Sequence, residues 1–207
     1  MARVGKSCPN RWMSALLRVL MAVALVLVVP GLAHAHGPVS GSKSKPDSVL
    51  VYGQGFMFSV KEPEGWKSDV RSADRIGANI VFYRSRELPS SAAALIRVRV
   101  NDKIDENTVG DLQADMDEYR RQYAGVAFED LAVAHPSYRT FPKVFFVEGE
   151  FFEYVVYLNP GKGVPFTMSV SMNKQKSRAT RIELQAFQEI VGTLRFFNDV
   201  KVTGGRR

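Results

Sequence analysis

Three patterns predict an α+β fold: an antiparallel β-sheet with flanking helices. Val164, Phe166, Met168, Val170 and Met172 alternate with Pro165, Thr167, Ser169 and Ser171, the period-2 signature of a strand with one buried face. Leu112, Met116, Tyr119 and Tyr123 recur at i, i+4, i+7 and i+11, the spacing of one helix face. Thr180-Arg181-Ile182-Glu183 has the spacing of a capping box, in which a threonine and a glutamate satisfy each other's backbone N–H groups at a helix start. Strand runs outnumber helices and join as hairpins, which favours helices laid against an antiparallel sheet.

The first segment belongs to no fold. Met1 to Arg18 carry Arg3, Lys6, Arg11 and Arg18 and no acid, and Val19 to Leu32 is a 14-residue apolar run. Ala33-His34-Ala35 follows, with small residues where a signal peptidase needs them. Residues 1–35 are therefore expected to be a signal peptide cleaved near Ala35, and the mature protein to be periplasmic or secreted. The run is shorter than the roughly 20 residues of a membrane span, so no stable anchor is expected after cleavage. Met13 is an alternative start that would exclude Cys8 from the leader. Cleavage removes four of the 28 Lys and Arg and none of the 21 Asp and Glu, so the formal charge falls from +7 to +3. That charge and that compartment argue against nucleic acid as a partner. No cysteine remains, so a single core must supply stability, and one domain is expected over residues 50–198.

Residues 36–49 begin as a Gly/Ser/Pro/Lys-rich flexible leader, and 199–207 form a similar tail. Between them, Gly55–Val60 reads as a strand and Pro63-Glu64-Gly65-Trp66 as a turn that ends on a core aromatic. Asn79–Arg84 and Leu95–Val100 are β-rich. In the second, Ile96, Val98 and Val100 face one way and Arg97 and Arg99 the other, which predicts a basic solvent face. Thr108 is the expected N-cap of the central helix, with Asp111, Asp115 and Glu118 on its solvated side and Gly125 as its stop. Lys143–Glu148, Glu153–Leu158 and Val164–Met172 form a meander, the last two joined by Asn159-Pro160-Gly161-Lys162-Gly163. Leu184, Phe187, Ile190 and Val191 give the last helix its apolar face, and Leu194–Phe197 returns as a short strand.

The opening Gly55-Phe56-Met57-Phe58-Ser59-Val60, closed by Pro63-Glu64-Gly65-Trp66, resembles the start of PsbP/Mog1-like domains. The element order is also similar, down to the terminal Thr193-Leu194-Arg195-Phe196. The resemblance spans roughly Val51 to Phe197 and implies an antiparallel sheet sandwiched between helices. It also implies an accessory, adaptor or assembly role without catalysis. No metal-site histidine pattern of that family is present, so it assigns no functional residue here.

Candidate sites follow from residue type. His36, as a new N-terminus, could chelate copper through its amine and ring, with His135 as a second ligand. The ordinary reading of His135-Pro136-Ser137-Tyr138 is a loop ahead of a turn. Glu148, Glu150 and Glu153 invite an acid/base pair, against which a solvated hairpin end is the simpler reading. Lys174, Lys176 and Arg178, with Arg97 and Arg99, form a candidate surface for an anionic partner or ligand; the ordinary reading is a solubilising surface. The aromatic pairs Phe145-Phe146 and Phe151-Phe152 must point to opposite sheet faces. They are read as core beneath two helices, or else as an exposed face for a hydrophobic ligand or lipid. No nucleophile elbow or triad spacing is found, and no cofactor is expected. The chain is thus expected to be a non-catalytic accessory protein of the cell envelope that binds a protein partner, with a hydrophobic-ligand carrier and copper binding at His36 as alternatives.

Overall fold

Strand pairing sorts the described residues into two antiparallel sheets. The structure is a computed structural model that describes residues 48–104 and 107–197. The small sheet holds β1 (Val49–Gly53), β2 (Phe56–Val60) and β10 (Arg195–Phe197), in the order β1-β2-β10. The large sheet runs β3-β4-β5-β9-β8-β7-β6. Its strands are β3 (Trp66–Asp69), β4 (Ile80–Arg84), β5 (Leu95–Asp102), β6 (Ala127–Asp130), β7 (Arg139–Val147), β8 (Phe151–Asn159) and β9 (Phe166–Gln175). Among the described residues three α-helices, α1 (Val70–Asp74), α2 (Thr108–Gln122) and α3 (Arg181–Thr193), and a short 3-10 turn at Pro89–Ser91 complete the fold. The α+β class and the expected meander are both present. The expected opening strand is present too, but it pairs with β1 and β10 rather than with the large sheet.

Helices cover both faces of the large sheet, which explains the paired aromatics. On one face Ile96, Val98, Phe152, Tyr154, Val156, Met168, Val170 and Met172 pack with Phe187, Ile190 and Val191 of α3 and with Phe56 and Phe58 of β2. On the other face Phe145, Val155 and Tyr157 pack under Leu112 and Met116 of α2, while Val81 and Tyr83 pack with Ala73 of α1. Phe145 and Phe152 are both fully buried, on opposite faces. The aromatic sheet faces are core.

Local chemistry sets the helix ends. Thr180 accepts from Glu183 N while the Glu183 carboxylate accepts from Thr180 N, the capping box read from the sequence. At α2 the cap is one residue earlier than expected. Asn107 takes the N-cap and accepts from Val109 N, whereas Thr108 is buried and shares a hydrogen bond with Thr167. Trp66 is buried after its turn, with its N–H bonded to Pro63 O. Among the described residues no helix is long and apolar enough to cross a membrane. His36, the 1–35 leader and the 199–207 tail lie outside the described residues.

Candidate functional site

The α2-facing side of the large sheet carries a polar layer, and α2 docks onto it through residues four apart. Asp111 accepts from the Thr167 hydroxyl of β9 and from Ile104 N; Asp115 accepts from the Tyr157 hydroxyl of β8; Tyr119 donates to Glu153 of β8. Positions i, i+4 and i+8 lie on one side of a helix, so three polar side chains point inward together. This corrects the expected solvated side of α2 at Asp111, which is buried against the sheet; Asp115 stays exposed while its carboxylate reaches the Tyr157 hydroxyl, and Glu118 is bonded outside to Arg121 and Gln122.

Glu153 is corrected in the same way. Glu148 and Glu150 flank Gly149 in an exposed turn, but Glu153 lies one strand-pair inward and is buried. It takes Arg97 Nη2 at 2.7 Å as well as the Tyr119 hydroxyl. Burial pushes the Asp115 carboxyl up, and the nearby Glu153 and Asp111 charges add to this against the Tyr157 hydrogen bond. Burial and the neighbouring carboxylates likewise raise the Tyr119 and Tyr157 hydroxyls, which stay protonated as donors.

Arg97 and Arg99 therefore do not form a solvent face. They lie half-buried on this polar layer, paired in register with Ser171 and Ser169 of β9. Arg99 donates to Ile76 O at 3.3 Å, and burial lowers its pKa, with the Arg97 charge adding to the effect. The Nε atoms of both arginines are buried without a hydrogen-bond partner.

The other basic candidates lie elsewhere. Strand parity puts Lys174 on the α3-facing side, the opposite face from Arg97. There it is buried and ion-paired to Glu183 at 2.8 Å, so it belongs to no surface. Arg178 is at the surface, bonded to Glu129 and stacked on Phe152 and Phe146, 4.9 and 5.3 Å from the ring centres. Lys176 is exposed in a left-handed conformation at the end of β9, with φ 62°. The five basic residues are thus split between two sheet faces and do not form one patch.

His135 sits in the loop between β6 and β7, ahead of a turn. Its Nδ1 accepts from Ser137 N and Tyr138 N, both at 2.9 Å, so the ring proton is on Nε2 and is donated to Leu194 O at 2.9 Å. The ring stacks on Tyr138, whose hydroxyl accepts from Phe196 N. Both nitrogens are occupied, which leaves none for a metal shared with His36. Among the described residues no group of three or more His, Cys, Asp or Glu side chains could hold a metal ion.

The small sheet presents a different kind of surface. Its registers align Leu50 with Ser59 and Arg195, and Tyr52 with Met57 and Phe197. These rows face away from the core, and Leu50, Tyr52 and Phe197 are 51%, 67% and 39% exposed. β1 is the outermost strand, and among the described residues no strand pairs with its free edge.

Sequence reasoning missed Tyr119, Tyr157, Ser169 and Ser171 as members of a polar layer. The signal was present in Thr167, Ser169, Ser171 and Asn173, a row of small uncharged polar residues opposite the core row of β9. A row of that kind suits a covered layer better than a solvated one.

No family model and no curated protein matches this chain. Among solved structures it is similar to the solution structure of cyanobacterial PsbP (CyanoP) from Synechocystis sp. PCC 6803. The two are 14% identical, and the match covers 78% of this chain and 100% of that one with a TM-score of 0.44.

Proposed function

We propose that this is an exported, non-catalytic accessory protein of the cell envelope that holds a protein partner on the small sheet. The edge of β1, open among the described residues, carries the reading. Edge strands are normally guarded by lysine, proline or a bulge, yet Val49–Gly53 is VLVYG, with no charge and no proline. Its outward face offers Leu50 and Tyr52, continued by Met57 and Phe197. An unguarded edge presents backbone donors and acceptors, and only an extended segment satisfies a whole row of them. The occupant is therefore an apolar, extended stretch of the partner. The basic and apolar leader at residues 1–35 supports export.

Site-specific photo-cross-linking in cells tests this. A cross-linker at Tyr52 should give one defined envelope adduct, and one at the exposed Gln113 of α2 should not. Leu50→Lys should abolish the Tyr52 adduct by guarding the edge. Equal adducts at both positions, or an adduct indifferent to Leu50→Lys, would overturn the reading. Sequencing the mature N-terminus tests export and the cut after Ala35.

A further inference from the structure

β1 and β10 are the two outer strands of the small sheet, and the edge of β10 is guarded. The groups that β10 turns away from β2 are taken by two side chains of the loop before β7. Leu194 O accepts from His135 Nε2 at 2.9 Å, and Phe196 N donates to the Tyr138 hydroxyl at 2.8 Å. Side chains thus stand where a further strand would otherwise pair.

Two local features make this guard depend on an uncharged ring. His135 Nδ1 accepts from Ser137 N and Tyr138 N, so its lone pair holds the turn that carries Tyr138. The imidazole also stacks on the Tyr138 ring, 4.2 Å between centres and 9° from parallel, so the two rings are placed as one unit. A proton on Nδ1 would point at both N–H groups and leave them without their acceptor, beside a ring that is itself buried. Charge offers no relief. Arg195 is the charged side chain that acts on the ring: its Nη1 lies 3.1 Å from Nε2 and donates to Leu194 O at 2.9 Å. On α3, Glu189 is paired with Lys61 at 3.7 Å, and on β7, Arg139 lies over Phe141.

We infer that His135 and Tyr138 form an acid-released latch on β10. A proton taken from solvent at Nδ1 displaces Ser137 N and Tyr138 N, the turn opens, and Tyr138 carries its hydroxyl away from Phe196 N. β10 is then a three-residue strand paired on one side, to Met57–Ser59 of β2. A pairing that short is marginal, and the half-buried Phe196 ring on Phe56 and Phe166 is its remaining anchor. β10 therefore opens locally while the large sheet stays closed. Opening uncovers that edge of β2 and takes Phe197 out of the outward row it forms with Tyr52 and Met57. The second change loosens the partner in acid, a consequence that rests on the proposed reading of the small sheet.

Amide hydrogen exchange read by NMR on the purified protein tests the latch with no partner present. The His135 ring signals give its titration directly, between about pH 7.5 and about pH 4.5. As the ring titrates, the Phe196 amide should lose about tenfold in protection relative to intrinsic exchange, the loss expected for one or two hydrogen bonds. The Ile190 amide of α3 should keep its protection over the same range. Tyr138→Phe removes only the hydroxyl and should lower Phe196 protection already at neutral pH. His135→Gln should remove the pH step; if that variant fails to fold, the parent titration and Tyr138→Phe still decide. Phe196 protection that stays constant through the ring's titration would overturn the proposal. So would Phe196 and Ile190 losing protection together, because that is unfolding of the whole domain. None of these readouts uses the Tyr52 cross-link, so the latch and the partner reading can fail separately.

Discussion

Lys174 of β9 and Glu183 of α3 form an ion pair inside the core, 2.8 Å apart, with 8% and 4% of their side chains exposed. Lys174 also donates to Ala93 O at 3.0 Å, and Glu183 accepts from Thr180 N at 2.7 Å. The pair thus joins a helix start, a sheet strand and the loop before β5. Removing one partner strands the other charge, so Glu183→Gln should cost about 3 kcal/mol in urea unfolding. Replacing both, as Lys174→Met with Glu183→Leu, should cost clearly less than the single change.

Glu183 and Asp115 should give opposite pH signatures. Burial opposes ionisation of Glu183, but the Lys174 and Thr180 hydrogen bonds outweigh it, and its pKa falls below the ordinary 4.5. Its stabilisation is complete above that value and disappears as pH falls through the lowered one. Asp115 is raised above 3.8, so its contribution is complete below 3.8 and is lost as pH rises through the raised value. Asp115→Asn keeps an acceptor for Tyr157 and should raise the urea midpoint slightly over the parent at neutral pH. Urea midpoints measured across the acid range check both signs.

His135 should add an acid sensitivity of its own below pH 6.5. Burial holds the ring neutral; the Leu194 carbonyl opposes this and the Arg195 charge adds to it, so the pKa lies below 6.5. Stability from this group is complete above 6.5 and is lost as pH falls through the lowered value. His135→Gln should flatten that loss. It should also cost about 1–2 kcal/mol at neutral pH, because the two N–H groups now held by Nδ1 lose their acceptor. Thermal melts on either side of the histidine range measure it.

Two glycines should respond in opposite directions to alanine. Gly53 faces Phe56 across the β1–β2 pair, and a Cβ there would lie 2.0 Å from the ring. Phe56 is buried against Phe166 and Phe196 and has little room to yield, so Gly53→Ala should destabilise by about 1–3 kcal/mol. Gly192, in the last turn of α3, has open space around its Cβ position. Gly192→Ala should stabilise by about 0.5–1 kcal/mol. Denaturation curves of the pair separate crowding from helix propensity.

The α3-facing half of the molecule was legible from sequence because its pattern is local. Met168, Val170 and Met172 alternate, Leu184, Phe187, Ile190 and Val191 keep a helical period, and Thr180 and Glu183 cap within four residues. The α2-facing half is built from Arg97, Asp111, Asp115 and Glu153, charges that any local pattern assigns to water. Their partners lie 34 to 56 residues away and meet only through strand order and the docking of α2 on the sheet. Lys174 was misread for the same reason, as its partner is on a helix and its face is set by β9. The segments not anticipated were β1, β3, α1 and β6. VLVYG does not alternate in polarity, and the other three are only four or five residues long.

The pairing of β10 with β2 also fixes an order of events. Phe196 packs against Phe56, and His135 and Tyr138 hold the Leu194–Phe196 backbone, so the last described strand closes the face opened by the second. A chain that emerges N-terminus first keeps Phe56 and Phe58 uncovered until almost all of it is through. Closure of that face waits for the last described strand.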